Sequence, residues 1–272
     1  ADLFIKNKMN IINTIKTIRQ ELKNYINDIK TYYPTKLNVE EKLILNEIKD
    51  KGFYIIPYFY SNEECISVRH EIDMLIEKHK TKLFTDTEDS DHRIFGADRL
   101  SDLIGKFYNN SLINKIVKAH EKTANISGLT LAARLEYKPN NKGSGGGWHR
   151  DWAVNKQIKA ILYLSDVGSE GGPFQYLENS QKHFNVIRDC YTKNFDFNQN
   201  RFTDSQIESL IAKKYSSKFH TFTGKAGTLI LVNTRGIHRG MPIEQGTRYA
   251  LTNYYWSNMP IPEHMIKLMI NN

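Results

Sequence analysis

His149 and Asp151 stand two positions apart in Gly143-Ser144-Gly145-Gly146-Gly147-Trp148-His149-Arg150-Asp151-Trp152, directly after a glycine run. On an extended strand, side chains at i and i+2 lie on one face. The imidazole and the carboxylate can therefore reach one point together, and a borderline or hard divalent metal takes that nitrogen-and-oxygen pair. A second imidazole from elsewhere would complete the 2-His-1-carboxylate triad of non-haem Fe(II) oxygenases, which leaves positions open for oxygen and substrate. His-x-Asp alone is a weak signal, since a surface His and Asp that happen to alternate explain the tripeptide equally well.

The third ligand is expected on a late strand. His238, in Gly236-Ile237-His238-Arg239-Gly240, follows the apolar strand Thr228 to Val232 in a short glycine-flanked segment. With nine histidines in the chain, a satisfied barrel histidine is the default for any one of them. Arg248 comes ten positions later, on the next strand. A guanidinium forks onto a carboxylate with two parallel hydrogen bonds, so an Arg beside a metal suggests a dicarboxylate co-substrate. An ordinary surface Arg is the alternative.

Together these positions resemble the phytanoyl-CoA dioxygenase family of Fe(II)/2-oxoglutarate oxygenases. The order is His-x-Asp, then a distal His, then an Arg about ten residues on. Gly52-Phe53-Tyr54-Ile55-Ile56-Pro57 with the Ser61-Asn62-Glu63-Glu64 helix looks like the family's opening. Tyr163-Leu164-Ser165-Asp166-Val167, Gly171-Gly172-Pro173-Phe174 and Gly227-Thr228-Leu229-Ile230-Leu231 follow in its order, so the resemblance covers about residues 50 to 256. One departure stands out. Where the family commonly has a Pro-Gly-Ser-His turn, this chain reads Glu178-Asn179-Ser180-Gln181-Lys182-His183, so no substrate role is carried to His183.

The resemblance implies a mainly β fold with flanking helices, a double-stranded β-helix (a cupin-like jelly roll). It implies Fe(II) on His149, Asp151 and His238, with these three as the catalytic set. It also implies 2-oxoglutarate on the iron with its far carboxylate on Arg248, and O2 as the oxidant. Family halogenases lack the carboxylate ligand, so the presence of Asp151 points to hydroxylation. Desaturation, epimerisation or ring formation by the same chemistry, or a non-catalytic β-helix binding module, are the competing readings.

Weaker candidates surround this set. Tyr137 and Tyr163, on the strands before and after the motif, are candidate hydrogen-bond donors to 2-oxoglutarate, although barrel tyrosines usually have a satisfied hydroxyl. Asn253 and Trp256, on the Arg248 strand, are similar. Trp148, Arg150, Arg93 and Arg99 are the aromatic and cationic groups available to a substrate, expected to be small or medium-sized, polar, and anionic or glycan-linked.

Short strands from Leu129 onward must position these residues. Leu131 to Lys138, the His149 segment, Ile158 to Asp166 and Pro173 to Leu177 come first. Phe219 to Thr223, Gly227 to Asn233, Ile237 to Pro242 and Thr247 to Trp256 follow, at a spacing that suits a jelly roll or barrel. Residues 179 to 218 interrupt them as an insertion or lid, with a helix expected from Asp204 to Tyr215 capped by Thr203 and Gln206. Before the strands, Phe53 to Tyr60 reads as an edge strand because of Pro57. Ser61 to Lys80 and residues 100 to 122 read as helices, and residues 81 to 95 as a polar loop.

Residues 1 to 50 form an expected N-terminal helical arm ahead of the oxygenase domain at 51 to 272. Within the arm, Ile11, Ile15, Ile18, Leu22, Tyr25, Ile29 and Tyr32 make one apolar stripe, heptad-like from Ile15. It suits either packing on the chain's own domain, which we expect, or a homo-oligomer seam. A second helix, Val39 to Lys51, follows Pro34.

The chain has 272 residues, 40% hydrophobic and 25% charged, which suits a soluble globular domain. No apolar run reaches the ~20 residues of a membrane span, and no signal-peptide pattern opens the chain. It begins at Ala1, with Met9 as a candidate native start. The formal charge of +8 favours anionic partners. The basic residues are scattered and form no nucleic-acid motif, so nucleic acid is not expected. Cys65 and Cys190 lack metal-ligand spacing and suit reduced thiols in the cytoplasm.

Overall fold

The computed structural model describes residues 2–152, 155–212 and 218–270. Ten strands form two antiparallel sheets. In chain order they are β1 (Phe53–Ile56), β2 (Phe84–Thr85), β3 (Asp91–Phe95), β4 (Ile126–Glu136), β5 (Ile158–Tyr163), β6 (Phe174–Leu177), β7 (Phe219–Phe222), β8 (Leu229–Asn233), β9 (His238–Gly240) and β10 (Thr247–Ser257). The larger sheet runs β1-β8-β5-β10-β4-β3-β2, and the smaller runs β7-β6-β9. The helices are α1 (Asp2–Lys30), α2 (Val39–Asp50), α3 (Asn62–His79), α4 (Asp102–Tyr108), α5 (Ser111–Glu121), α6 (His183–Lys193), α7 (Asp204–Ile211) and α8 (Glu263–Leu268).

Strand alternation divides the large sheet into two faces. On β5, Ile158, Ala160 and Leu162 pack with Ile72, Ile104, Ile113 and Ile116 under the helices. Lys159, Ile161 and Tyr163 point the other way, into the space between the sheets. Phe53, Tyr163, Ile230 and Val232 meet Phe174, Tyr176 and Phe222 of the small sheet there. Fully burying each such large side chain is worth roughly 1.5–3 kcal/mol. The jelly roll is thus held by an apolar filling at one place and leaves a polar cavity at another.

Several expectations are revised. Residues 81–95 are not all loop, since β3 pairs with β4 from Asp91↔Leu135 to Phe95↔Leu131. Its charges disguised it: Asp91 accepts from the Arg93 side chain within the strand, so the two charges neutralise each other inside the sheet. The helix expected over 100–122 is two helices, because Asn110 caps a new one with its side chain on the Leu112 and Ile113 amides. The insertion holds α6, which was not expected, as well as α7, whose Thr203–Gln206 capping box is present. Residues 213–217, where the expected helix continued, lie outside the described residues.

The arm docks with the opposite face from the one its apolar stripe suggests. α1 lies against α6. From residue 8 onward its buried residues are Thr14, Thr17 and Glu21, while Ile11, Ile15, Leu22, Tyr25 and Ile29 are all exposed. Glu21 pairs with Arg235 and with His183. The stripe therefore does not pack on its own domain, because buried carboxylate chemistry holds the helix the other way round. Among the described residues no helix is long and apolar enough to cross a membrane.

Candidate metal centre and co-substrate pocket

His149 and His238 face each other across a backbone bridge. Each amide donates to the other's carbonyl at 2.9 Å, and the Asp151 amide donates to the Thr234 carbonyl at 3.1 Å. The His149 segment is thus an extended bridge rather than a regular strand, yet its i, i+2 geometry holds. The ligand atoms of His149, Asp151 and His238 lie within 4.8 Å of one another.

Both imidazoles are fixed in the same way. His149 Nδ1 lies 2.8 Å from the Gly147 carbonyl and His238 Nδ1 2.8 Å from the Gly236 carbonyl. A carbonyl can only accept, so Nδ1 carries the proton and Nε2 keeps its lone pair for a metal. Burial lowers the pKa of both rings, His238 to about 3 with help from the neighbouring His149. Neutral imidazoles are what a divalent ion needs. The glycine run serves this packing: a Cβ on Gly145, at φ +91°, would lie 2.4 Å from His149 Cε1.

Asp151 has a partner the sequence reading missed. Lys159 Nζ lies 2.7 Å from Asp151 Oδ2 and 3.8 Å from the centre of the Tyr254 ring. Burial opposes the Asp151 charge, but Lys159 and then the two imidazoles outweigh it and hold its pKa below the usual carboxylate range. The signal was present in the sequence, since Lys159 is the one charge inside an otherwise apolar strand.

A cavity of about 270 Å³ adjoins the triad. Five cations line it, and their partners decide their roles. The Arg150 guanidinium donates to the Ser180 carbonyl at 3.1 Å. Arg93 is tied to Asp91 at 2.8 Å and to Ser144 at 3.1 Å. Lys159 is tied to Asp151, and Arg201 donates to the Gly145 carbonyl. Arg248 is 6% exposed, with no hydrogen bond or ion pair among the described residues and a buried, unpaired Nε. Burial lowers its pKa. A buried guanidinium without a partner is costly, so this side chain waits for an anion. Gly172 makes room for it, since a Cβ there would meet the guanidinium at 3.3 Å.

A family model of phytanoyl-CoA dioxygenase matches residues 48–246. The chain belongs to the phytanoyl-CoA dioxygenase family. It is 23% identical over 154 residues to ectoine dioxygenase of Halomonas elongata, a match covering 52% of this chain and 46% of that protein. The match thus spans about half the length of that relative. The epimerase SnoN, solved with Fe3+, α-ketoglutarate and nogalamycin RO, superposes with a TM-score of 0.60 at 13% identity, over 80% of this chain and 84% of SnoN. HygX from Streptomyces hygroscopicus, solved with nickel, 2-oxoglutarate and hygromycin B, gives 0.54 at 16% identity, over 82% of this chain and 88% of HygX. These likenesses show the jelly-roll fold of the oxygenases.

Other sequence candidates fall outside the pocket or are committed elsewhere, for reasons of parity and position. Trp148 and Arg150 alternate with His149, so their side chains turn away from it, although Arg150 still forms part of the lining. Trp148 Nε1 donates to Asp204 at 3.1 Å, and the Arg150 guanidinium donates to the Ser180 carbonyl at 3.1 Å over the Phe202 ring. Arg99 is bound to Asp98 and to the Gly128 carbonyl. Tyr137 lies just past the end of β4, is 52% exposed and does not line the cavity. Tyr163 does line it, but its hydroxyl donates to the Phe222 carbonyl at 3.1 Å and accepts from the Phe174 amide at 2.9 Å. Its proton is therefore already committed. Asn253 faces the helices, bonded to Thr130 and the Phe107 carbonyl. Trp256 stacks on Tyr254 beyond the cavity's end. Lys159, Arg201, Thr252 and Tyr254 are among the lining residues that the sequence reading passed over.

Proposed function

We propose that the protein is an Fe(II)/2-oxoglutarate-dependent hydroxylase of a small or medium polar, anionic substrate. The observation that carries this is Arg248, the one cation of the cavity left without a partner, on the same wall as a His-Asp-His set. His149 and His238 would hold the metal through Nε2, and Asp151 through a carboxylate oxygen. Arg248 would fork onto the far carboxylate of 2-oxoglutarate, against the apolar wall of Ile161 and the Tyr163 ring. Iron with 2-oxoglutarate and O2 supplies the oxidising power, and the chain binds, orients and excludes water. Lys159 keeps the second Asp151 oxygen in place.

The donor set includes a carboxylate, which favours hydroxylation over halide transfer. Succinate formed from 2-oxoglutarate with Fe(II) tests turnover, and product mass then tests hydroxylation: a gain of one oxygen is expected. Loss of two hydrogens, or no change in mass, would instead assign desaturation or epimerisation, and no succinate at all would leave a non-catalytic binding module.

The described part of the insertion, residues 179–212, is proposed to cover the mouth of the pocket, because Asn200 and Arg201 reach its lining. The exposed heptad stripe of α1 supports a homo-oligomer in which two copies pair these helices, since Ile15, Ile18, Leu22, Tyr25 and Ile29 keep coiled-coil spacing. Cys65 and Cys190 are both buried free thiols, in keeping with a cytoplasmic protein.

A further inference from the structure

A second cavity, of about 660 Å³, lies beyond the metal centre and shares none of its lining residues. The two follow one another along β10 and β5, the second at the end of these strands. On β10, Arg248, Ala250, Thr252 and Tyr254 line the first cavity, and Tyr255, Trp256 and Ser257, at the strand's end, line the second. On β5, Tyr163, Ile161 and Lys159 line the first, and Gln157, just before the strand, lines the second. The Tyr254 and Trp256 rings stack at 6.1 Å where the cavities adjoin. At about 3.3 Å per residue the step from Tyr254 to Trp256 is roughly 7 Å. Arg248 thus marks one end of this line, the Asp151–Lys159 pair the middle, and the second cavity the other end.

The charges of that cavity are unbalanced. Lys49, Lys122 and Lys156 face it, with Asp28 as their nearby carboxylate. Asp28 holds Lys156 at 2.7 Å, and its backbone carbonyl accepts from Lys122. The Lys49 ammonium has no hydrogen bond or ion pair among the described residues, and burial together with Lys122 and Lys156 outweighs Asp28 and lowers its pKa. The other cations of the wall are answered from outside it, Lys182 by Asp50 at 2.6 Å and Arg235 by Glu21. His120 and Glu121 answer each other at 2.8 Å. Arg235 is 2% exposed and its Nε has no partner.

We propose that this cavity binds an oxyanion carried by the substrate, a phosphate or a carboxylate, and so places the carbon to be oxidised beside the metal. The proposal rests on the oxygenase reading and gives it a substrate class. Three clustered ammoniums repel each other until an anion enters, because, of the two lining carboxylates, Glu121 is held by His120 and Ser257 and only Asp28 faces them. Lys49 supplies an uncommitted charge, Lys122 and Lys156 are pre-positioned by Asp28, and Trp152 and Trp256 offer flat apolar walls to the rest of the molecule. A cavity of this size falls in the range that takes a sugar- or nucleoside-sized group. The co-substrate would be held from the Arg248 end and the substrate from the lysine end, with the metal between them.

The test uses the full chain loaded with Fe(II) and saturating 2-oxoglutarate under anaerobic conditions. Glucose 6-phosphate, glucuronate and glucose are titrated against tryptophan fluorescence. Saturable quenching by glucose 6-phosphate or glucuronate, with none by glucose, is expected, and the anion that responds separates phosphate from carboxylate. Lys49→Gln with Lys122→Gln should weaken that binding by about tenfold, and added salt should weaken it further. Equal response to glucose, no response to either anion, or full affinity in the double variant overturns the proposal. 2-Oxoglutarate affinity measured on the same samples should not change in the variant. If 2-oxoglutarate fails to bind even to wild type, the oxygenase reading fails separately, and the anion titration on the metal-free chain still reads the cavity.

Discussion

Lys159 and Asp151 form an ion pair of 2.7 Å on the wall of the metal cavity, with the ammonium 7% exposed and the carboxylate 18% exposed. The same carboxylate lies 3.7 Å from His149 Nε2 through Oδ1 and 3.6 Å from His238 Nε2 through Oδ2. Lys159 therefore does for the carboxylate, in the metal-free chain, part of what a divalent ion would do.

A variant follows from this relationship. Lys159→Met should destabilise the metal-free protein by roughly 3–5 kcal/mol, the usual cost of leaving a buried charge without its partner. Added Fe(II) or another divalent ion should then raise the variant's melting temperature by more than it raises wild type's, because the metal takes over the carboxylate. Thermal unfolding with and without metal checks this. An equal metal-induced shift in both proteins would show that the pair and the metal do not share Asp151.

Asp151→Ala should lose succinate formation and leave Lys159 as the unpaired group. The double variant Asp151→Ala with Lys159→Met should recover stability but not turnover. Paired melting and succinate assays separate the two effects, and turnover in either variant would remove Asp151 from the ligand set.

The docking of α1 should depend on pH. Hydrogen bonds that the His183 ring donates to Asp28 and Glu21 raise its pKa above the ordinary 6.5, so the charged His183 contributes stability that is fully present below 6.5 and is lost as pH rises through the folded value. Burial opposes the Glu21 charge, but His183 and Arg235 outweigh it and lower its pKa below 4.5, so its contribution is present above that value and lost in acid. The arm should be held best between about pH 4.5 and 6.5. Hydrogen exchange over α1 should show protection falling on the alkaline side, and His183→Gln should flatten that limb. His183 is partly exposed, so the effect is reduced by solvent. Protection that rises with pH would contradict this account of the contact.

Ile15→Glu with Leu22→Glu should halve the mass seen by light scattering if two copies pair through α1, while secondary structure is kept. These positions are exposed, at 45% and 53%, so the chain's own fold does not depend on them. This is a cleaner test than deleting the arm, which would leave buried Arg235 without Glu21. An unchanged mass would show that the stripe has no second copy on it.

Much of the site was readable from residue spacing, and the misses have physical causes. His-x-Asp gave convergence because period-two geometry survives even where no regular strand forms. The same rule, applied to neighbours, turns Trp148 and Arg150 away. From Arg248 it turns Asn253, an odd number of positions on, towards the helices and leaves Thr252 and Tyr254 in the cavity. Tyr137 had the parity of Leu135 but fell past the strand's end. The charges of β3 hid a strand because their pairing is internal to it. The stripe of α1 was visible as a period, but periodicity marks an apolar face without saying what covers it. Only the Glu21–Arg235 and Glu21–His183 contacts show that the polar face is the one turned inward.

The central claim is that Arg248 receives the far carboxylate of 2-oxoglutarate beside a His149–Asp151–His238 metal site. The direct measurement is 2-oxoglutarate titration of wild type, Arg248→Lys and Arg248→Leu with anaerobic Fe(II). Losing a buried, forked charge pair costs about 2–5 kcal/mol, so Arg248→Leu should bind at least roughly 30-fold more weakly. Arg248→Lys, which keeps the charge without the fork, should fall between the two, with Fe(II) affinity unchanged throughout. Equal 2-oxoglutarate affinity in all three proteins would contradict the account.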